Sequence, residues 1–205
     1  MVRTPSSLNA SLDALAAAEP GFARVLATHG RPEPRLSDPG VATLMRTIVG
    51  QQVSVAAARS MWAKLEAAFG TPPDLARLLA ASDEELRGLG QSRQKAGYLR
   101  SLAGLVLAGD LDLADLPADD EEAVALLTQV KGIGRWSAEI YLLFAEGRGD
   151  VWPAGDLAVQ VEVGRLLGLD ERPSEKQLRA LAEAWRPHRG AAAVLAWHSY
   201  NSEPL

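Results

Sequence analysis

Leu127-Thr128-Gln129-Val130-Lys131-Gly132-Ile133-Gly134-Arg135-Trp136-Ser137-Ala138 reads as two helical patterns joined through a turn of barely four residues. Before it, Val124, Leu127 and Val130 recur at helical spacing behind the acidic run Asp119-Asp120-Glu121-Glu122, the charge sign favoured near a helix N-terminus. Gly132 and Gly134 stop that helix, since without a Cβ they take backbone angles closed to other residues and admit another backbone closely. The next helix starts at once, with Trp136, Ile140 and Phe144 expected on one face. Its first N–H groups lack intrahelical partners, so with the amides of the hairpin they make a site for an anion such as a phosphodiester. Gly-x-Gly alone equally describes an ordinary short turn between packed helices, so the remainder of the chain has to decide between the two.

At 205 residues the chain is long enough for one sizeable core or for two small, intimately packed subdomains. Cysteine is absent, which excludes disulfides, thiolate zinc sites and cysteine-ligated iron–sulfur clusters. No uninterrupted apolar run of about 18 residues occurs, and the N-terminus lacks a basic region followed by an apolar one. A soluble cytoplasmic protein is expected. The formal net charge of -5 argues against a general polyanion binder, which would carry a basic surplus, so any nucleic-acid contact must be local.

In chain order, helix follows helix. Leu8, Leu12 and Leu15 mark a first amphipathic segment, and Pro20-Gly21 opens a second with Phe22, Val25 and Leu26. Gly30 to Pro39 holds three prolines and connects. Val41, Leu44, Met45, Ile48 and Val49 follow the spacing of a helix with a wide buried face, ending at Gly50. After Gln51-Gln52-Val53, Ser54 is an N-cap for a helix whose inner side is marked by Val55, Met61, Trp62, Leu65 and Phe69. Leu75, Leu78 and Leu79 form a short helix, Ser82 with Glu85 reads as a capping box, and Ser92 starts a helix carrying Tyr98, Leu99, Leu102, Leu105 and Val106. On it, Arg93, Lys95 and Arg100 concentrate positive charge, most simply a solvated face. After the hairpin, Gly147 to Gly155 is a loop, and helices are expected at about 156–167, 174–185 and 190–200. No strand periodicity or repeat is present. The fold class is all-α, in two packed helical subdomains, about 41–125 and about 1–40 plus 126–205, with an active-site cleft expected between them.

Val151-Trp152-Pro153-Ala154-Gly155-Asp156 places a carboxylate at a helix start. Asp is a preferred N-cap, which would account for the residue in full. A carboxylate at the mouth of a cleft can also stand beside a developing cation and stabilise it. The two roles are compatible.

Gly50-Gln51-Gln52-Val53-Ser54, Val130 through Ala138, the Trp152-Pro153 loop ending in Asp156, and Trp185-Arg186-Pro187-His188-Arg189 before Trp197 occur in the order seen in bacterial 3-methyladenine DNA glycosylases. From about Val41 to Tyr200 the sequence resembles the alkylation-repair branch of the helix-hairpin-helix glycosylase superfamily. The resemblance implies a monofunctional DNA glycosylase that flips and hydrolytically excises alkylated bases of the 3-methyladenine and 7-methylguanine type, with Asp156 as catalytic carboxylate. It puts Trp136, Trp197, Ile140 and Leu157 around the base, the last two at positions that are aromatic in some relatives. It puts Gln51, Gln52, Val53 and Ser54, with Gln52 as the wedge, and Lys131, Gly132, Ile133, Gly134 and Arg135 against DNA. Backbone carbonyls of Thr128, Val130 and Gly132 are implied as ligands of a structural monovalent cation; no other cofactor is required. Members that also cleave the strand carry a nucleophilic Lys two residues after the second hairpin glycine, where Trp136 stands here, so lyase chemistry should be missing. Larger relatives add an N-terminal β-rich domain, making this a compact form. The implied partner is duplex DNA with damaged bases, bound by a monomer in the bacterial nucleoid. Two alternatives stay open, a glycosylase of the same fold for deaminated or oxidised bases and a non-catalytic DNA-binding module.

Overall fold

The computed structural model describes residues 4–202, and every regular element among them is helical. In order these are α1 (Pro5–Ala18), α2 (Pro20–His29), α3 (Val41–Gly50), α4 (Val55–Phe69), α5 (Leu75–Ala80), α6 (Asp83–Gly88), α7 (Arg93–Ala108), α8 (Asp120–Leu127), α9 (Arg135–Tyr141), α10 (Leu157–Leu167), α11 (Glu175–Leu181) and α12 (Arg189–Ser202). A π turn, Leu142–Glu146, prolongs α9, and a 3₁₀ turn, Ala182–Trp185, prolongs α11. The chain forms two units, a terminal one made of 1–37 and 142–205 and a central one, 38–141. Residues 126–141 thus belong to the central unit and not, as expected from the sequence, to the terminal one. The reason is two ties between residues distant in sequence: Ser101 on α7 and Gln51 after α3 both hydrogen-bond the hairpin.

The terminal unit is built on α12, whose Ala191, Ala192, Ala193, Val194, Leu195 and Ala196 are all buried. Small side chains let α1, α2 and α10 approach this helix closely, which is how an alanine run becomes a core element despite its modest apolar area. Phe22 and Trp152 both meet the Trp185 ring edge-to-face, with centroids 5.0 and 5.6 Å apart, a geometry worth about 1 kcal/mol per pair beyond area burial.

In the central unit α7 is the spine, packed on α3, α5 and α6, and Leu44, Ile48, Leu65, Leu78, Leu86, Leu99 and Leu102 are fully enclosed. Helix starts are set by side-chain caps. Ser54, Ser82 and Ser92 each accept the N–H three residues on, and Asp74 and Asp119 each accept two, contributions of about 1 kcal/mol apiece. Three local expectations change. Val55 is 69% exposed, so the inner face of α4 begins with Trp62. The linker between α8 and α9 is seven residues, 128–134, because Val130 N–H donates to Leu127 and Ile133 N–H to Val130, two tight turns in succession. Phe144 lies beyond α9, which ends at Tyr141, in the π turn that follows.

Candidate active site

Asp156 is the N-cap of α10, and its Oδ1 accepts from the Val159 N–H at 3.0 Å and from Trp197 Nε1 at 3.0 Å. The loop that delivers it is tied down along its length. Gly190 N–H donates to Gly149 at 2.8 Å, and Asp150 accepts from Arg186 at 2.7 Å and from two nitrogens of Arg189 at 3.0 Å. Arg179 donates to the Trp152 carbonyl, Trp152 Nε1 to Leu178, and buried Gln160 to Ala154 at 2.8 Å. A Cβ on Gly190 would lie 2.7 Å from the Gly149 oxygen, so glycine there is a packing requirement. Trp197 rests on Phe144, with centroids 5.5 Å apart and planes tilted by 36°. Beside that pair opens a cavity of about 260 Å³ lined by Arg31, Glu33, Arg35, Phe144, Trp197 and His198. Leu157, next to Asp156, is 56% exposed.

The central unit carries the other predicted residues. Gln51, Gln52, Val53 and Ser54 form the loop between α3 and α4, with Gln52, Val53 and Ser54 exposed. Gln52 has φ +53°, a left-handed backbone unusual outside glycine and asparagine and a common mark of strained functional turns. Gln51 Nε2 donates to the Gly132 carbonyl at 2.8 Å, which locks the loop to the hairpin. Gly132 has φ +85° and lies on the Tyr98 ring, where a Cβ would approach ring carbons to 2.1 Å. Gly134 differs: a Cβ there would meet nothing within 4 Å. Ile133 is buried, whereas Lys131 and Gly134 are exposed. The Val130 carbonyl accepts from Ile133 and that of Gly132 from Gln51, and each keeps its second lone pair.

Arg135, expected against DNA, is in this structure paired within the central unit while its side chain stays 43% exposed. Its guanidinium donates to both oxygens of Glu121, at 2.9 and 2.6 Å, and lies 3.5 Å from Glu139. The hydrogen bond to Glu121, against a smaller opposing effect of burial, raises its proton affinity further. Arg135 therefore clips the start of α8 to α9. On α9, Trp136 is 46% exposed and Ile140 half-buried, so the face they share is not the one packed into the unit's core, which takes Ala138 and Tyr141.

A family model described as HhH-GPD superfamily base excision DNA repair protein matches residues 45–187, a span that holds the loop, the hairpin and Asp156. The chain belongs to this superfamily. DNA-3-methyladenine glycosylase 2 of Escherichia coli is 30% identical over 214 residues, 98% of this chain and 68% of its own length. A crystal structure of a DNA-3-methyladenine glycosidase from Bacillus halodurans aligns with a TM-score of 0.85 at 29% identity, covering 98% of this chain and 92% of that one. The 3-methyladenine DNA glycosylase of Schizosaccharomyces pombe in complex with abasic DNA aligns at 0.77 and 26% identity, over 93% of this chain and 95% of that one. The chain spans only 57% of the length of a Bacillus subtilis relative, 29% identical over 164 residues.

Several contacts in this superfamily member had no signal in the sequence. Phe144 looks like one more apolar position of α9 until the π turn redirects it toward Trp197. Arg31 and Arg35 sit in a proline-rich connector, and nothing in their spacing places them at a cavity. The indole of Trp197 was expected to offer a face; its N–H to Asp156 follows only from the packing of α12 on α10.

Proposed function

We propose that the chain is a monofunctional DNA N-glycosylase that excises alkylated purines. The observation that carries this is the carboxylate of Asp156, held in one direction by the Val159 amide and the Trp197 indole in a chain of this superfamily. A purine alkylated at N3 or N7 is already cationic. When its C1′–N bond breaks, the electron pair stays with the base, which leaves neutral, and the sugar becomes oxocarbenium-like. Asp156 stabilises that charge, and it accepts a proton from the water whose oxygen bonds to C1′. The base must first leave the stack. Trp197 and the exposed Trp136 offer π faces of the kind that attract a cationic ring, and Ile140 and Leu157 offer smaller apolar walls.

The glycine hairpin and the Gln51–Ser54 loop grip the DNA, with Lys131 toward phosphate. Carbonyls of Thr128, Val130 and Gly132 hold a monovalent cation, for which Val130 and Gly132 retain lone pairs. Strand cleavage is not part of the activity. A lyase needs an amine to attack C1′, and the residue two after Gly134 is Trp136.

The test is release of bases from methylated DNA, run beside duplexes containing uracil, hypoxanthine and 8-oxoguanine. Methylated purines should be released, leaving a full-length strand that breaks only in hot alkali. Release confined to the other lesions would move the substrate class, and borohydride trapping of the unmodified protein would sink the monofunctional assignment.

A further inference from the structure

Lys95 was most simply a solvated base on the sequence, yet its ammonium donates to the Val49 carbonyl at 2.7 Å. Val49 lies in the last turn of α3, where carbonyls run out of intrahelical donors and a cation is favoured. Partial burial lowers the pKa of this lysine, so desolvation opposes the contact and the charge-assisted bond must offset it. Nearby on α7, Tyr98 floors Gly132 with its ring and Ser101 Oγ accepts the Lys131 N–H at 3.1 Å. Residues 95, 98 and 101 are three apart and share one side of the helix. One face of α7 thus touches both the end of α3, from which the 50–54 loop departs, and the glycine hairpin, while Gln51 closes the circuit to Gly132.

We propose that Lys95 is a positioning residue: it fixes the end of α3 so that the Gln51–Ser54 loop and the hairpin meet DNA as one preorganised surface. The inference rests on the glycosylase reading for its consequence in catalysis, but its structural half stands apart from it. Lys95 does not act on the sugar. Its role is to keep the left-handed Gln52 backbone from relaxing when no DNA is bound, so that binding does not have to order the loop.

The experiment compares wild type with Lys95→Met, which keeps the stem and loses the donor, and with Lys95→Arg, which keeps the charge. Amide hydrogen exchange of the full chain without DNA should speed up about tenfold in 50–54 for Lys95→Met, the size expected from one lost charge-assisted bond, while α10 and α12 stay unchanged. Affinity for a duplex bearing an abasic analogue should fall by a similar factor. The single-turnover excision rate at saturating protein should stay within about threefold, because Asp156 is untouched. Lys95→Arg should restore exchange and affinity.

Unchanged exchange in Lys95→Met overturns the proposal. So does weakened binding without faster exchange, which would make Lys95 a phosphate contact. If Lys95→Met fails to fold, Lys95→Ala, which also lacks the donor, is measured instead, and exchange like the wild type's overturns the proposal in the same way. A wild-type protein that neither binds the duplex nor excises would remove the proposed function, and the exchange comparison would still decide what Lys95 does.

Discussion

The terminal and central units hold their site residues by different physical means. In the terminal unit the important object is one charge, and side chains fix it: Asp156 caps α10, Trp197 reaches it from α12, and Asp150 with Arg186 and Arg189 pins the preceding loop. In the central unit the important object is a backbone shape. Gly132 lies flat on Tyr98, Gln51 and Ser101 hydrogen-bond the hairpin main chain, and Lys95 takes the last-turn carbonyl of Val49. A charge can be removed with its surroundings left standing, whereas a backbone shape fails when one Cβ is added. The units should therefore break in distinct ways.

The largest effect is expected in the terminal unit. Asp156→Asn keeps the shape and part of the cap but loses the charge, so excision of alkylated bases should fall at least about a hundredfold, roughly 3 kcal/mol of transition-state stabilisation. Thermal midpoint and affinity for an abasic duplex should stay close to wild type. Near-normal turnover would remove Asp156 from the chemistry; an unfolded variant would make the cap its main role.

The central unit supplies the next effect, a contrast between two glycines that the sequence alone cannot separate. Gly132→Ala drives a Cβ into the Tyr98 ring and demands a left-handed alanine, so stability should drop by about 3 kcal/mol, read by chemical denaturation. Gly134→Ala meets open space and should fold normally, yet weaken binding to all duplexes alike, because phosphate contacts position a protein without reading sequence. Equal stability of the two variants would contradict the packing on Tyr98.

Much of this layout was legible in the sequence. Apolar spacing located the helices, because a buried face at 3.6-residue period leaves a strong imprint, and Ser54, Ser92 and Asp156 announced starts that the structure keeps. What escaped was whatever depends on partners distant in sequence. The ion pair from Arg135 to Glu121 joins residues fourteen apart, and no local pattern in the sequence announces it. Residues 126–141 fell to the wrong unit because the tie from Ser101 spans thirty residues. Val55 was assigned inward from polarity, although the first turn of α4 lies outside the packed stretch.

A smaller effect tests the side-chain mode of the terminal unit. Trp197→Phe keeps an aromatic ring against Phe144 but deletes the N–H that points at Asp156. Excision in single turnover should slow about tenfold, the loss of one hydrogen bond to a charged group, while affinity for an abasic duplex holds. A rate equal to wild type would mean that the indole N–H is not needed to aim the carboxylate.

The smallest effect is expected where both units use the same device, an exposed carboxylate paired with arginine. In the central unit the Arg100 hydrogen bond lowers the pKa of Asp83 below its ordinary 3.8, and in the terminal unit the Arg186 hydrogen bond lowers that of Glu183 below 4.5. A carboxylate whose pKa is depressed on folding binds protons more readily in the unfolded chain, so its stabilisation is present above the unfolded value and lost as pH falls through the folded one. Asp83→Asn and Glu183→Gln should thus lower the thermal midpoint slightly at neutral pH, and the gap to wild type should close as pH drops below those ordinary values. Added salt should narrow it as well, since both pairs are solvent-exposed. Arg100 also donates to the Ala81 carbonyl at 2.7 Å, and that bond survives in Asp83→Asn; Glu183 shares its arginines with Asp150, which keeps hold of both. Each variant therefore loses one partner of a network and not the network. A gap that persists undiminished at low pH and high salt would mean that these side chains act through packing or helix capping, and the difference between the two units would then extend to their surfaces.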